Sequence, residues 1–145
     1  MNLAILSLAL VCGDGGSSSA AYAFAPLDDR AELERSEWRV VGLNSDGKDS
    51  SKWIDAQVRW VFKDGTLGVR NPDATAPGNR RTVKLNPTSK PKQIDLEEID
   101  GGKALGIYCL KNDTLTLAIG RNKERPNDLS PAANVNLFIL KRVKP

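Results

Sequence analysis

Residues 104–126 read ALGIYCLKNDTLTLAIGRNKERP, and the punctuation of this stretch decides the fold. Two apolar runs of strand length, residues 104–110 and 114–119, flank Lys111-Asn112-Asp113, a polar break built from residue types that let the chain turn. In the second run Leu115, Leu117 and Ile119 alternate with Thr114, Thr116 and Ala118, so one face is core and the other is mild. The pair predicts a β-hairpin, followed by a loop that carries Lys123-Glu124-Arg125-Pro126.

The same punctuation recurs on either side. Residues 37–43 (EWRVVGL) predict a first strand, stopped by Asn44-Ser45-Asp46-Gly47. Residues 53–63 place Ile54, Ala56, Val58, Trp60 and Phe62 on one face against Asp55, Gln57, Arg59 and Lys63, which predicts one half-buried strand beginning at Trp53. Asp64-Gly65 is a hairpin turn into residues 66–70. Residues 71–79 (NPDATAPGN) read as loop, 80–85 as strand, 86–92 as a connection with two prolines, and 93–99 as a short strand. Beyond the long loop 120–134, residues 135–142 (VNLFILKR) form a closing β-run. About eight short strands joined mostly by tight turns, with no long amphipathic helix, predict an all-β fold: a single antiparallel barrel. A barrel of that size is filled by side chains or holds one small ligand. Residues 27–36 (LDDRAELERS) suit a short helix or arm, with Asp28 and Asp29 at its favourable end.

Composition bounds the chemistry. With 40% hydrophobic and 27% charged residues and a net charge of +3, the chain has the make-up of an ordinary globular domain with a solvated surface. It has no histidine, which removes the usual general base near neutral pH and the commonest metal ligand. It also lacks a phosphate-cradling glycine loop, zinc-ligand spacing and a basic stripe interleaved with aromatics, so no cofactor, metal or nucleic-acid partner is expected. Residues 1–12 (MNLAILSLALVC) form an apolar run of signal-peptide length, too short to span a bilayer as a helix, and Ala21-Tyr22-Ala23 offers a cleavage site. The expected organisation is a leader at 1–23, an arm or short helix at 24–36 and a barrel at 37–145, in a protein exported to the periplasm, envelope or medium. Lipidation at Cys12 and a retained N-terminal extension are the alternatives for the leader. Removing it would leave Cys109 alone, so a buried structural thiol without an intramolecular disulfide is expected there.

Trp38 with Val40-Val41, Asp46-Gly47-Lys48, the segment 91–96 (PKQIDL), Gly106-Ile107-Tyr108, Asp113-Thr114-Leu115, Glu124-Arg125-Pro126 and Leu140-Lys141-Arg142 together carry a family resemblance. The chain resembles a family of small, exported, lipocalin-like domains expanded in planctomycete bacteria, whose members are uncharacterised. Ser36-Glu37 and Cys109 depart from it, standing where the family has a glycine and an acid. The resemblance implies a lipocalin-like barrel in which Trp38 and Arg142 meet at the closure, guanidinium stacked on indole, contributing roughly 0.5–2 kcal/mol.

The candidate ligand-binding set is Lys92, Asp95, Tyr108, Glu124 and Arg125, with Trp53 as a ligand platform or simply a rim residue. One reading gathers the charged members at a barrel mouth, where Lys92 and Arg125 take a polar or anionic molecule. The plainer reading has Asp95 and Asp113 fixing turns and Arg125 pairing with a carboxylate to hold its loop. The functional expectation is therefore a non-catalytic small-molecule-binding module with no catalytic residue assigned. One alternative is a filled barrel serving as a structural or protein-interaction domain at the cell envelope, with an exposed apolar patch near Trp53 or residues 71–79. The other is a histidine-free hydrolase using Asp95 and Glu124 as acid and base.

Overall fold

The computed structural model describes residues 28–75 and 78–144. A short helix, α1 (Asp29–Glu34), leads into nine strands: β1 (Glu37–Ser45), β2 (Lys48–Asp49), β3 (Arg59–Lys63), β4 (Thr66–Arg70), β5 (Gly78–Asn86), β6 (Lys92–Glu97), β7 (Lys103–Lys111), β8 (Thr114–Gly120) and β9 (Val135–Arg142). Strands β3 to β9 run as an antiparallel meander, and β1 lies between β3 and β9 to close an eight-stranded barrel. Strand β2 is a two-residue spur on the end of β1. The turns follow from local chemistry: Asp46-Gly47 and Asp64-Gly65 both take positive φ, the backbone demanded by tight hairpins with right-handed strand twist.

Closure is uneven. The β1–β9 ladder runs from Trp38 opposite Arg142 to Ser45 opposite Asn136, broken by one bulge at Val41. On its other edge β1 meets β3 only at Glu37–Val61 and Trp38–Trp60. An Arg70–Glu37 ion pair, Nη2 to Oε1 at 2.5 Å, reinforces that short side.

Alternation along the strands sends Trp38, Phe62, Leu67, Ile94, Leu96, Tyr108, Leu115, Leu117 and Leu140 into one interior cluster. Trp60 and Phe138 add an aromatic pair, ring centroids 5.0 Å apart. The middle of the barrel is thus packed with side chains. A second cluster of Ile107, Ala118, Val135 and Leu137 sits on the outer wall, with Leu129 of the 121–134 loop against it. Strands β7 to β9 are apolar on both faces at these positions, so the loop folds back to cover the outer one.

Four expectations need correction or limits. The alternation starting at Trp53 does not make one long strand. Ser51–Trp53 is a single 3₁₀ turn, and Val58 N–H bonds to the Asp55 carbonyl while Gln57 N–H bonds to the Asp55 carboxylate. These local bonds compete with sheet pairing, so β3 starts only at Arg59. Strand β5 begins at Gly78, inside the expected loop. Cys109 is disulfide-bonded, not a lone thiol, and its partner lies outside the described residues. The leader at 1–23 also lies outside them. No described helix is long and apolar enough to cross a membrane.

The close approach of β6, β7 and β8 depends on Gly106, where an added Cβ would meet the Ala118 carbonyl oxygen at 2.6 Å and Ile94 Cγ2 at 3.2 Å. Gly106→Ala should therefore cost about 1–3 kcal/mol in urea unfolding, the usual penalty for overpacking against atoms that cannot move away. At the seam, the Arg142 side chain is only 5% exposed. Arg142→Ala should cost about 2–4 kcal/mol, less than for a fully buried pair because both its carboxylate partners touch solvent. Arg142→Lys should fall between, and unchanged denaturation midpoints for both variants would contradict this account of the seam.

Candidate functional site

One end of the barrel carries a cap. Asp28 accepts a 2.7 Å bond from Ala31 N–H as the N-cap of α1. Six residues are too few to hold a helix in isolation, so α1 exists because it docks. Leu33 inserts into the interior cluster at 1% exposure, and its carbonyl accepts a 3.0 Å bond from Trp38 Nε1. Three carboxylates of the helix then reach three parts of the rim. Glu32 Oε2 lies 3.1 Å from Arg142 Nη2, Glu34 Oε1 accepts from Gly65 N–H at 3.3 Å, and Asp29 Oδ2 accepts from Lys92 Nζ at 2.9 Å and from Tyr108 OH at 2.7 Å.

The helix covers only part of the opening. Between it, the β3–β4 turn and the end of β5 lies a cavity of about 280 Å³, open to solvent on one side. Leu33, Phe62, Val83 and Leu85 supply its apolar wall, with Pro87 beside them. Asp28, Asp29, Arg30, Glu34 and Thr66 supply the polar part of the lining. Val83 and Leu85 remain only partly buried because α1 does not extend over β5.

The structure distributes the residues expected to bind a ligand among four places. Lys92 and Tyr108 are register partners on β6 and β7 and meet Asp29 under the cap. Asp95 and Arg125 are on the outer wall, Nη1 to Oδ1 at 2.7 Å as an ion pair off the line of a hydrogen bond. Arg125 Nη1 also donates to the Gly106 carbonyl at 2.8 Å, which pins the 121–134 loop to the sheet. Glu124 is exposed on that loop, and its backbone packs so closely on Gly120 that a Cβ there would collide with it. Trp53 is 76% exposed on its 3₁₀ turn, with Lys52 Nζ 5.3 Å from its ring centroid. Lys92 and Arg125 each have a carboxylate partner already and do not share a site. Trp38 and Arg142 face each other across the seam, with the guanidinium carbon 4.6 Å from the indole centroid.

Sequence reading passed over Asp28, Asp29, Leu33, Phe62, Val83 and Leu85 as site residues. A short helix or arm with Asp28 and Asp29 at its start was visible, but nothing in the sequence says which end of the barrel it will cover. Among the described residues, no three His, Cys, Asp or Glu side chains converge as a metal site. A second cavity, about 310 Å³, lies within the 121–134 loop and is lined by Asn122, Glu124, Arg125, Asp128 and Ser130 among others. Comparisons with protein-family models, curated proteins and solved structures find no match to this chain.

Burial, and then the hydrogen bond to the Asp29 carboxylate, pushes the Tyr108 phenol far above its ordinary value of 10.0, so it stays a neutral donor. A group whose folded pKa is raised contributes stability that is intact below pH 10 and lost as pH rises, because only the unfolded chain ionises. Tyr108→Phe should lose about 1.5 kcal/mol at neutral pH with the bond to the charged carboxylate. It should also show a shallower fall in stability above pH 10 than the parent, measured by urea unfolding across the alkaline range. Parallel alkaline limbs for the two proteins would refute the assignment.

Proposed function

We propose that this chain is a non-catalytic small-molecule-binding domain and that its ligand site is the cavity beside α1. The observation that carries the reading is the concave wall of Leu33, Phe62, Val83 and Leu85 beside α1, with Val83 and Leu85 left partly exposed. A concave apolar surface ringed by a few polar groups is the usual form of a small-molecule site. A volume of about 280 Å³ is at the small end, near nine waters' worth of space at about 30 Å³ each, which suits a molecule with a single ring. The resemblance to exported lipocalin-like domains supports the same reading and, in this proposal, a location at the cell envelope or beyond it.

A protein-interaction role has one supporting feature, the exposure of Trp53 at 76% and Ile99 at 92%. These are single side chains on separate loops, and scattered apolar residues are normal on a surface. The hydrolase reading needs a carboxyl held up in its protonated form. The carboxylates that are displaced, Asp113 and Asp49, are both held below their ordinary 3.8, by hydrogen bonds from Arg142 and Ser51 respectively.

Two-dimensional NMR with benzyl alcohol as probe tests the binding reading. Methyl shifts should appear at Leu33, Val83 and Leu85 with a Kd of about 1 mM, a fair value for so small a ligand. Leu85→Trp should fill the space and abolish them while the rest of the spectrum keeps its dispersion. Shifts confined to other surfaces, or unaffected by Leu85→Trp, would remove the cavity as the site.

A further inference from the structure

We infer that the ligand of this cavity is a small amine: a single-ring or short aliphatic body with a cationic head. The inference rests on the binding reading above and adds the sign of the ligand's charge. Of the ionisable groups lining the cavity, three are carboxylates, Asp28, Asp29 and Glu34, and one is a cation, Arg30. Their partners separate them. Glu34 is paired with Arg30, Nε to Oε2 at 3.2 Å, and receives the Gly65 N–H on its other oxygen. Asp29 is paired with Lys92 and bonded by Tyr108.

Asp28 is different. Its carboxylate caps α1 through Ala31 N–H, and among the described residues no cation pairs with it. It is exposed and borders the cavity, so it presents there a carboxylate with no ion-pair partner among the described residues. An amine with its body on Phe62, Val83 and Leu85 can place its ammonium beside Asp28 without displacing any existing ion pair. A carboxylate-bearing ligand of the same shape meets repulsion there. The one lining cation, Arg30, is held by Glu34, so it offers such a ligand little compensation.

Three probes of matched shape test the charge: 3-phenylpropylamine, 3-phenylpropan-1-ol and 3-phenylpropanoate, titrated by NMR into the full chain. The amine should bind tightest, the alcohol next and the carboxylate weakest. Asp28→Asn is the decisive variant, because asparagine caps a helix about as well as aspartate and removes only the charge. It should weaken the amine about two- to fivefold, the worth of a solvent-exposed ion pair, and leave the alcohol unchanged. Raising the salt concentration should narrow the gap between amine and alcohol in the parent and have no such effect in Asp28→Asn. If the alcohol or the carboxylate binds as well as the amine, or if Asp28→Asn keeps the parent's order and ratios, the charge inference is overturned while the cavity remains a site. If none of the three perturbs Leu33, Val83 or Leu85, the binding reading falls first and the inference with it.

Discussion

The Arg142 guanidinium is the fixed point of this fold. It lies over the Trp38 indole at 4.6 Å and donates to Asp113 Oδ1, the Glu32 carbonyl, Ser36 Oγ and Glu32 Oε2. Those partners belong to the β7–β8 turn, to α1 and to the link before β1, while Arg142 itself ends β9. One planar cation therefore holds the last strand, the first strand, the cap and a hairpin turn at a single place. Lysine cannot do this, since its ammonium is a point charge with no flat face to stack and no rigid fork of donors. A sheet closes into a barrel only if its first and last strands find a defined register. Here the Trp38–Arg142 pair begins that register.

That anchor also explains the shape of the site. Helix α1 is tied to the Arg142 side of the mouth through Glu32, to β6 and β7 through Asp29, and to the β3–β4 turn through Glu34. With six residues it reaches about 9 Å. The uncovered part falls over β5, and the inward side chains Val83 and Leu85 are left beside Phe62 with space above them. The cavity is thus a consequence of a short cap on a packed barrel, and it differs in kind from a hollow calyx. It is also distant in chain terms from the charged loop that carries Arg125, whose guanidinium serves to hold that loop on the outer wall.

Much of the architecture is legible in the sequence because strands and hairpins are written locally. Side-chain alternation, Asp-Gly turns and proline-bearing loops each act over a few residues, and together they imply an antiparallel meander whose eight main strands close into a barrel. Where local signals conflict, sequence reading goes astray. The alternation from Ile54 to Phe62 has the right period, yet Asp55 bonds its own neighbourhood and shortens the strand.

What the sequence determined by itself was the class of fold, the approximate number of strands and the residue types from which any site must be made, histidine being absent. What only the tertiary structure decided was which of those residues meet. Lys92, Tyr108 and Asp29 converge under the cap, whereas Arg125 goes to the opposite face of the wall with Asp95. The reason is physical. A strand's face is set by parity along the chain, but the docking of a six-residue helix and the folding back of a loop are set by buried area and ion pairs between segments dozens of residues apart, which no local pattern encodes.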